Sequence, residues 1–194
     1  MMGEKRQGGG VSPDEQGELD DLTLARARAG DEAARTALVD RYQRRVYALV
    51  ARLMVTRPEL IDDLAQESFM KVLRALSQFD PGGPARLSTW ILTVATRTCL
   101  DALKAKRPAA EELPESLPAP SDPEHEAAQR QTGRRVQAAM ARLPEEMRAV
   151  VILRAYHDLD YDEIALALGL ELGTVKSRLG RARAALREAL EDLP

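Results

Sequence analysis

The sequence predicts an all-α protein, and three observations carry the prediction. Aromatic residues make up only 4% of the 194 residues, while Ala, Leu, Arg and Glu dominate, a composition suited to packed helices. Apolar residues recur along one face of segment after segment with the period of a helix. Asp and Pro residues suited to helix starts, and Gly residues suited to helix ends, punctuate those segments. With 44% hydrophobic residues a core can form, and the chain is long enough for two small domains joined by a linker.

Residues 1–18 are polar and include Gly8, Gly9 and Gly10, which predicts a disordered tail. The first domain then spans residues 19–107. Leu19, Leu22, Leu24 and Ala25 predict a short helix ending at Gly30. Asp31 caps the next, in which Ala34, Leu38, Tyr42, Val46, Leu49, Val50 and Leu53 form a stripe. Pro58 suits the start of a third helix, running from about Glu59 to Leu76 with Leu60, Ile61, Leu64, Phe69, Val72, Leu73 and Leu76 as its apolar positions. The run Phe79 to Pro84, Phe-Asp-Pro-Gly-Gly-Pro, must be a loop. A fourth helix follows from about Ser88, whose hydroxyl can cap it, to about Ala105. Trp90, Ile91, Val94 and the single cysteine, Cys99, fall among its core positions.

From Pro108 to Gln129 the chain carries six acidic residues, no Lys or Arg, and five prolines, so residues 108–129 predict an extended, flexible acidic linker. Leaving that stretch out turns the formal net charge of -3 into +3. The linker is either an inert spacer or a functional strand. Residues 130–194 form the second domain, with helices over Gln129–Ala141 and Glu145–His157 and Pro144 in a first-turn position.

Asp160 and Glu163 have the spacing of a capping box, which starts a helix near Tyr161; Ile164, Ala165 and Leu168 share one face, and Gly169 ends it. A second helix begins near Leu172 to Thr174, with Val175, Leu179, Ala182 and Leu186 as its stripe. Two helices joined by a short turn containing Gly match a helix-turn-helix. From Thr174 to Arg187 there are five basic and no acidic residues. Ser177, Gly180 and Ala184 lie opposite the stripe, flanked by Lys176, Arg183 and Arg187 on one side and Thr174, Arg178 and Arg181 on the other. Small outward residues let a helix backbone approach base edges in the major groove, while the flanking cations reach phosphates.

A second constellation lies on the third helix, where Asp62, Asp63, Gln66 and Glu67 share a face. Crowded carboxylates repel one another unless a cation neutralises them. A docking face for a basic protein surface, a solvated polar face, and a metal or acid/base site are the readings open to them. The last lacks a nearby histidine, since His125 lies in the linker and His157 in the other domain. No metal or cofactor is expected. No apolar run approaches the ~20 residues needed to cross a bilayer, and the polar start lacks the apolar core of a signal peptide. The expected location is the cytoplasm, on the nucleoid when active.

Together these residues resemble the extracytoplasmic-function group of bacterial sigma factors, two-domain members of the sigma-70 family similar to RpoE. The first half matches through Asp62-Asp63-Leu64-Ala65-Gln66-Glu67-Ser68-Phe69 and Leu87-Ser88-Thr89-Trp90-Ile91. The second matches through Leu143-Pro144-Glu145-Glu146, Tyr161-Asp162-Glu163-Ile164-Ala165 and Gly173-Thr174-Val175-Lys176-Ser177-Arg178-Leu179. The resemblance implies a non-enzymatic subunit that binds core RNA polymerase and directs promoter-specific transcription initiation. Asp62, Asp63, Gln66 and Glu67 would dock on the clamp helices of the largest catalytic subunit, with further contacts at the flap region. The loop with Phe79, Asp80 and Arg86 would capture a base of the minus-10 element, and the next helix, with Arg97, Lys104 and Lys106, would hold DNA backbone. Thr174, Lys176, Ser177, Arg178, Arg181 and Arg183 would read the minus-35 element. The acidic linker would thread toward the active-site cleft, and an anti-sigma factor is an implied partner. Arg97 stands where the family often has Asn. Two other readings compete: a stand-alone helix-turn-helix regulator, which gives the acidic face no role, and a hydrolase using Asp63 and Glu67.

Overall fold

The structure is a computed structural model describing residues 17–105 and 123–191, the side chains of 123–130 excepted. Eight α-helices account for the described residues, with two single 3-10 turns and no strand. Helix α1, Asp21–Ala29, is capped by Asp20, which accepts from the Thr23 amide, and ends at Gly30, whose φ of 99° only glycine adopts cheaply. Asp31 caps α2, Glu32–Leu53, by accepting from the Ala34 amide, and the seven residues of its expected stripe are all buried.

The third helix departs slightly from the sequence reading. Pro58–Leu60 form a 3-10 turn, and α3 proper is Ile61–Ala75. Helix α4, Leu87–Ala105, carries a larger correction. Ser88 lies inside its first turn and does not cap it; instead a Glu18 oxygen accepts from the Ser88 amide at 3.1 Å, and the other accepts from the Ser88 hydroxyl. Tyr42 donates its hydroxyl to the same carboxylate at 2.9 Å. Burial, then the Glu18 charge, push that phenol up to about 12. Glu18, assigned by sequence to the tail, thus ties α2 to the start of α4. The free amides of a helix start donate to any suitable acceptor, and here it comes from 70 residues away.

Helix α5, Pro123–Arg142, starts six residues before the expected Gln129, so the last residues of the expected linker are helical. Pro123 fits a first helical position because its missing N–H would be unpaired there anyway. Helices α6, Glu145–Tyr156, α7, Tyr161–Leu168, and α8, Leu172–Ala189, complete the chain. The capping box at the start of α7 is present in both directions, and Gly169 ends that helix at φ 65°.

The two halves share one core. Helix α6 lies against α2 and α4, and α7 against α4. Buried Leu49, Leu53, Ile91 and Leu92 of the first half join buried Val150, Ile152, Leu153 and Ile164 of the second in a single cluster. Each such side chain contributes roughly 1.5 to 3 kcal/mol when fully buried. Arg148, 2% exposed, fastens the seam. Its guanidinium donates to the carbonyls of Met140, Ala141 and Leu143 at the end of α5, at 3.0 Å each, and to Leu53 at the end of α2 at 2.8 Å. One side chain therefore satisfies carbonyls that two helix C-termini leave free. Cys99 is fully buried, and burial raises its thiol to about 12, as suits a small core residue.

Candidate nucleic-acid interface

The basic helix presents the face its sequence dictates. Val175, Leu179 and Ala182 are buried against the rest of the second half, which turns Ser177, Gly180 and Ala184 outward to solvent. A Cβ added at Gly180 would meet nothing within 4 Å, so the centre of this face is open space above bare backbone. Lys176, Arg181 and Arg183 are exposed around it, and Thr174 is half-buried at the helix start. Arg178 differs from its neighbours: it forms an ion pair with Glu146 of α6, and only 19% of its side chain is exposed.

The loop and α4 give a second candidate surface, built differently. Phe79, expected on the loop as a DNA contact, is buried, its ring 5.3 Å from that of half-buried Trp90. The aromatic pair shapes the loop from beneath, since a ring removed from water gains more than one left on the surface. Asp80 is exposed and turns the loop by accepting from the Gly82 amide at 3.0 Å. Arg86 donates to Glu163 of α7 at 3.2 Å, and the hydroxyl of buried Thr89 donates to the same oxygen at 3.0 Å. Arg97 reaches the end of α7, donating to the Ala167 carbonyl at 3.0 Å and to that of Leu166 at 3.5 Å. Lys104 is exposed near the end of α4, and Lys106 lies outside the described residues. Lys104, Arg178 and Arg181 line one cleft of about 560 Å³, so the two basic surfaces, far apart in sequence, meet in space.

The acidic face is as expected in exposure and richer in partners. Asp62, Asp63, Gln66 and Glu67 are all exposed on α3. Lys71 pairs with Glu67 at 2.9 Å and donates to Thr98 at 3.3 Å. The charge of Asp62 and its hydrogen bond raise the pKa of the exposed Tyr47 phenol on α2. Beside these carboxylates Tyr47, Ala48, Ala65 and Phe69 line a largely apolar groove of about 480 Å³ between α2 and α3. Sequence reasoning missed this groove, although the i, i+4 pair Ala65 and Phe69 could have signalled it. Among the described residues no group of His, Cys, Asp and Glu is placed to hold a metal ion. No described helix is long and apolar enough to cross a membrane.

An exposed acidic face on α3 of the first half and a basic helix-turn-helix at the end of the second are the features of a transcription factor of the sigma class. Residues 38–108 match the sigma-70 region 2 family, and residues 133–186 match sigma-70 region 4. The chain is 32% identical over 186 residues to the ECF RNA polymerase sigma-E factor of Salmonella typhimurium, covering 90% of this chain and 95% of that one. It is 37% identical over 169 residues to the ECF RNA polymerase sigma factor SigE of Mycolicibacterium smegmatis, covering 83% of this chain and spanning 64% of the length of that relative. The RNA polymerase sigma-H factor of Pseudomonas aeruginosa is 31% identical over 188 residues. Among solved structures, CnrH in complex with the cytosolic domain of CnrY superposes with a TM-score of 0.64 at 26% identity, covering 89% of this chain and 97% of that one. The sigma factor RpoE in complex with the anti-sigma factor NepR from Bartonella quintana shares the fold, with a TM-score of 0.66 at 19% identity over 82% of this chain and 98% of that one. This chain belongs to the sigma-70 family of RNA polymerase sigma factors, in its extracytoplasmic-function group.

Proposed function

We propose that the chain directs promoter-specific transcription initiation by docking on core RNA polymerase and contacting two promoter elements with its two halves. The observation that carries this reading is one chain holding an exposed acidic face on α3 and a basic face on α8 whose outward centre is small and unobstructed. Asp62, Asp63, Gln66 and Glu67 dock on the clamp helices of the largest subunit, with the apolar groove beside them taking a non-polar side chain of that partner; the flap region is the second contact. Residues 19–107 serve the polymerase and the minus-10 element, and residues 130–194 the minus-35 element. Asp80, Arg86, Arg97 and Lys104 contribute to the minus-10 side, with Phe79 supporting the loop from below. Thr174, Lys176, Ser177, Arg178, Arg181 and Arg183 serve the minus-35 side.

Opening the duplex requires unstacking bases at a few kcal/mol per step, which contacts to the displaced strand and to polymerase offset. The protein performs no covalent chemistry of its own in this reading and works where polymerase is, in the cell interior. An anti-sigma factor is a proposed partner, in keeping with the NepR complex of the RpoE relative.

The deciding experiment is run-off transcription with core polymerase over a promoter library, alongside a mobility shift with and without core enzyme. Sequence-specific binding by the free chain at physiological salt, with no effect of core, would instead support a stand-alone regulator. Replacing Asp63 and Glu67 with Lys is expected to weaken association with core by at least about 100-fold, because each reversal brings like charges together, while the melting temperature holds. Unchanged core affinity would refute the docking assignment.

A further inference from the structure

Helix α4 begins without a cap of its own. The Trp90 amide donates to the Arg86 carbonyl at 2.9 Å, which puts Arg86 in the N-cap position just before Leu87. A guanidinium carries donors only, so the Arg86 side chain cannot take up the free amides that follow it. Glu18 supplies the missing acceptor. One of its oxygens accepts from the Ser88 amide at 3.1 Å and from the Tyr42 hydroxyl at 2.9 Å, and the other accepts from the Ser88 hydroxyl. Tyr42 and Ser88 are both buried, whereas Glu18 is exposed, so the carboxylate reaches in from the surface to donors that water does not serve.

The backbone on either side of Glu18 is fastened for this task. The Gly17 carbonyl accepts from Arg41 of α2 at 3.0 Å, and the Leu19 amide donates to the Tyr42 hydroxyl at 3.1 Å. Glu18 is therefore held from both sides. Its carboxylate also meets the positive end of α4, and bonds to an ionised acceptor are stronger than those between neutral groups.

The first turn of α4 carries both ends of the loop proposed to capture a minus-10 base. At one end Phe79 lies under Trp90, ring centres 5.3 Å apart; at the other Arg86 leads straight into α4 and accepts from the Trp90 amide. A shift of that turn moves both anchors together. We infer that Glu18 is a positioning residue for minus-10 recognition: acting through α4 rather than by touching DNA, it holds the turn so that Asp80 and Arg86 keep the placement that base capture requires. The inference rests on the minus-10 role proposed above. A strand that binds only chains with this turn formed loses apparent affinity in proportion to the fraction without it.

The test uses holoenzyme assembled from core polymerase and the full chain, wild type or Glu18→Ala, with two probes from the strongest promoter of the run-off library. These are its single-stranded non-template minus-10 segment and its minus-35 duplex. Glu18→Ala should bind the minus-10 strand about 3- to 10-fold more weakly, as loss of a helix cap lowers the fraction of chains with the turn formed. Affinity for core and for the minus-35 duplex should stay at the wild-type value. Glu18→Gln keeps a carbonyl oxygen for the Ser88 amide and should recover most of the loss. In the free chain, hydrogen exchange at the Ser88 and Thr89 amides should quicken in Glu18→Ala and less so in Glu18→Gln. A carboxylate that only stabilises the fold would lower the melting temperature and leave minus-10 affinity unchanged, and that result overturns the inference. So does an equal loss at both probes, or a Glu18→Gln variant no better than Glu18→Ala. Failure of the wild type to hold the minus-10 strand would sink the minus-10 reading instead, with exchange at Ser88 still deciding whether Glu18 caps α4.

Discussion

The seam between the two halves and the outer face of α8 are both polar in part, and they treat their polar groups in opposite ways. Along the seam donors are matched with acceptors: Arg148 has four carbonyls, Arg97 two, and Glu163 is bonded on both oxygens. On the outer face of α8 Lys176, Arg181 and Arg183 are exposed around a glycine with nothing in front of it. Satisfied groups hold a fold together, whereas exposed cations on a rigid helix are available to a polyanion. The difference separates residues that shape the molecule from residues that await a partner, and substitutions at each should fail in different assays.

The largest effect is expected at Arg148. Replacing it with Met leaves the ends of α5 and α2 with buried carbonyls unpaired, and stability should fall by about 3 to 5 kcal/mol. Denaturant unfolding measures this directly. A loss below about 1 kcal/mol would mean that water takes over those carbonyls and that the seam is wetter than its packing indicates.

His157 breaks the pattern of the seam. It is 6% exposed, and neither ring nitrogen has a hydrogen-bond partner. Burial first, then the charges of Arg45 and Arg52 on α2, lower its pKa to about 4, with Asp158 opposing them weakly. The sign follows from proton uptake. Unfolded, the imidazole titrates near its ordinary value of 6.5; folded, near 4. Below pH 6.5 the unfolded chain binds the extra proton, so stability is unaffected above that pH and falls between 6.5 and 4. The loss from this residue approaches about 3 kcal/mol by pH 4, at ~1.4 kcal/mol per unit. A His157→Leu variant should lose correspondingly less than wild type over that window; parallel curves for the two chains would show that the ring is not held neutral.

Much of this was legible in the sequence, and the remainder has a common physical origin. The stripe of α2, the capping box of α7 and the glycines at 30 and 169 depend on neighbours within a few residues, so they can be read directly. The outward set Ser177, Gly180 and Ala184 follows from helical period alone. Glu18 as the cap of α4, Phe79 beneath Trp90, and Arg97 on the end of α7 could not be read in the same way. Each depends on a residue brought in by docking from a distant part of the chain, and docking leaves no local pattern. Of the proposed site, sequence located the α8 face and the acidic α3 face. It did not show that the α4 face is covered.

Arg178 belongs to both kinds of residue, lying on the basic helix α8 yet engaged by Glu146. If it reads a base, Arg178→Ala should weaken transcription from a matched promoter by about 1 to 3 kcal/mol and relax discrimination at one position. A uniform loss across two promoters differing at that position would assign it to phosphate.

The smallest effect gives the sharpest separation, because its sign differs between fold and function. Gly180 is inside α8, at a helical φ, with open space where its Cβ would be. Gly180→Ala should therefore stabilise the fold by about 0.5 to 1 kcal/mol, through the backbone entropy a glycine loses in a helix. If the bare backbone exists so that base edges can approach it, the same methyl group must stand the helix off the groove floor and lower minus-35 binding while stability rises. A variant that gains stability and keeps full promoter affinity would place the contact on the flanking cations alone, with the small outward residues serving no close approach.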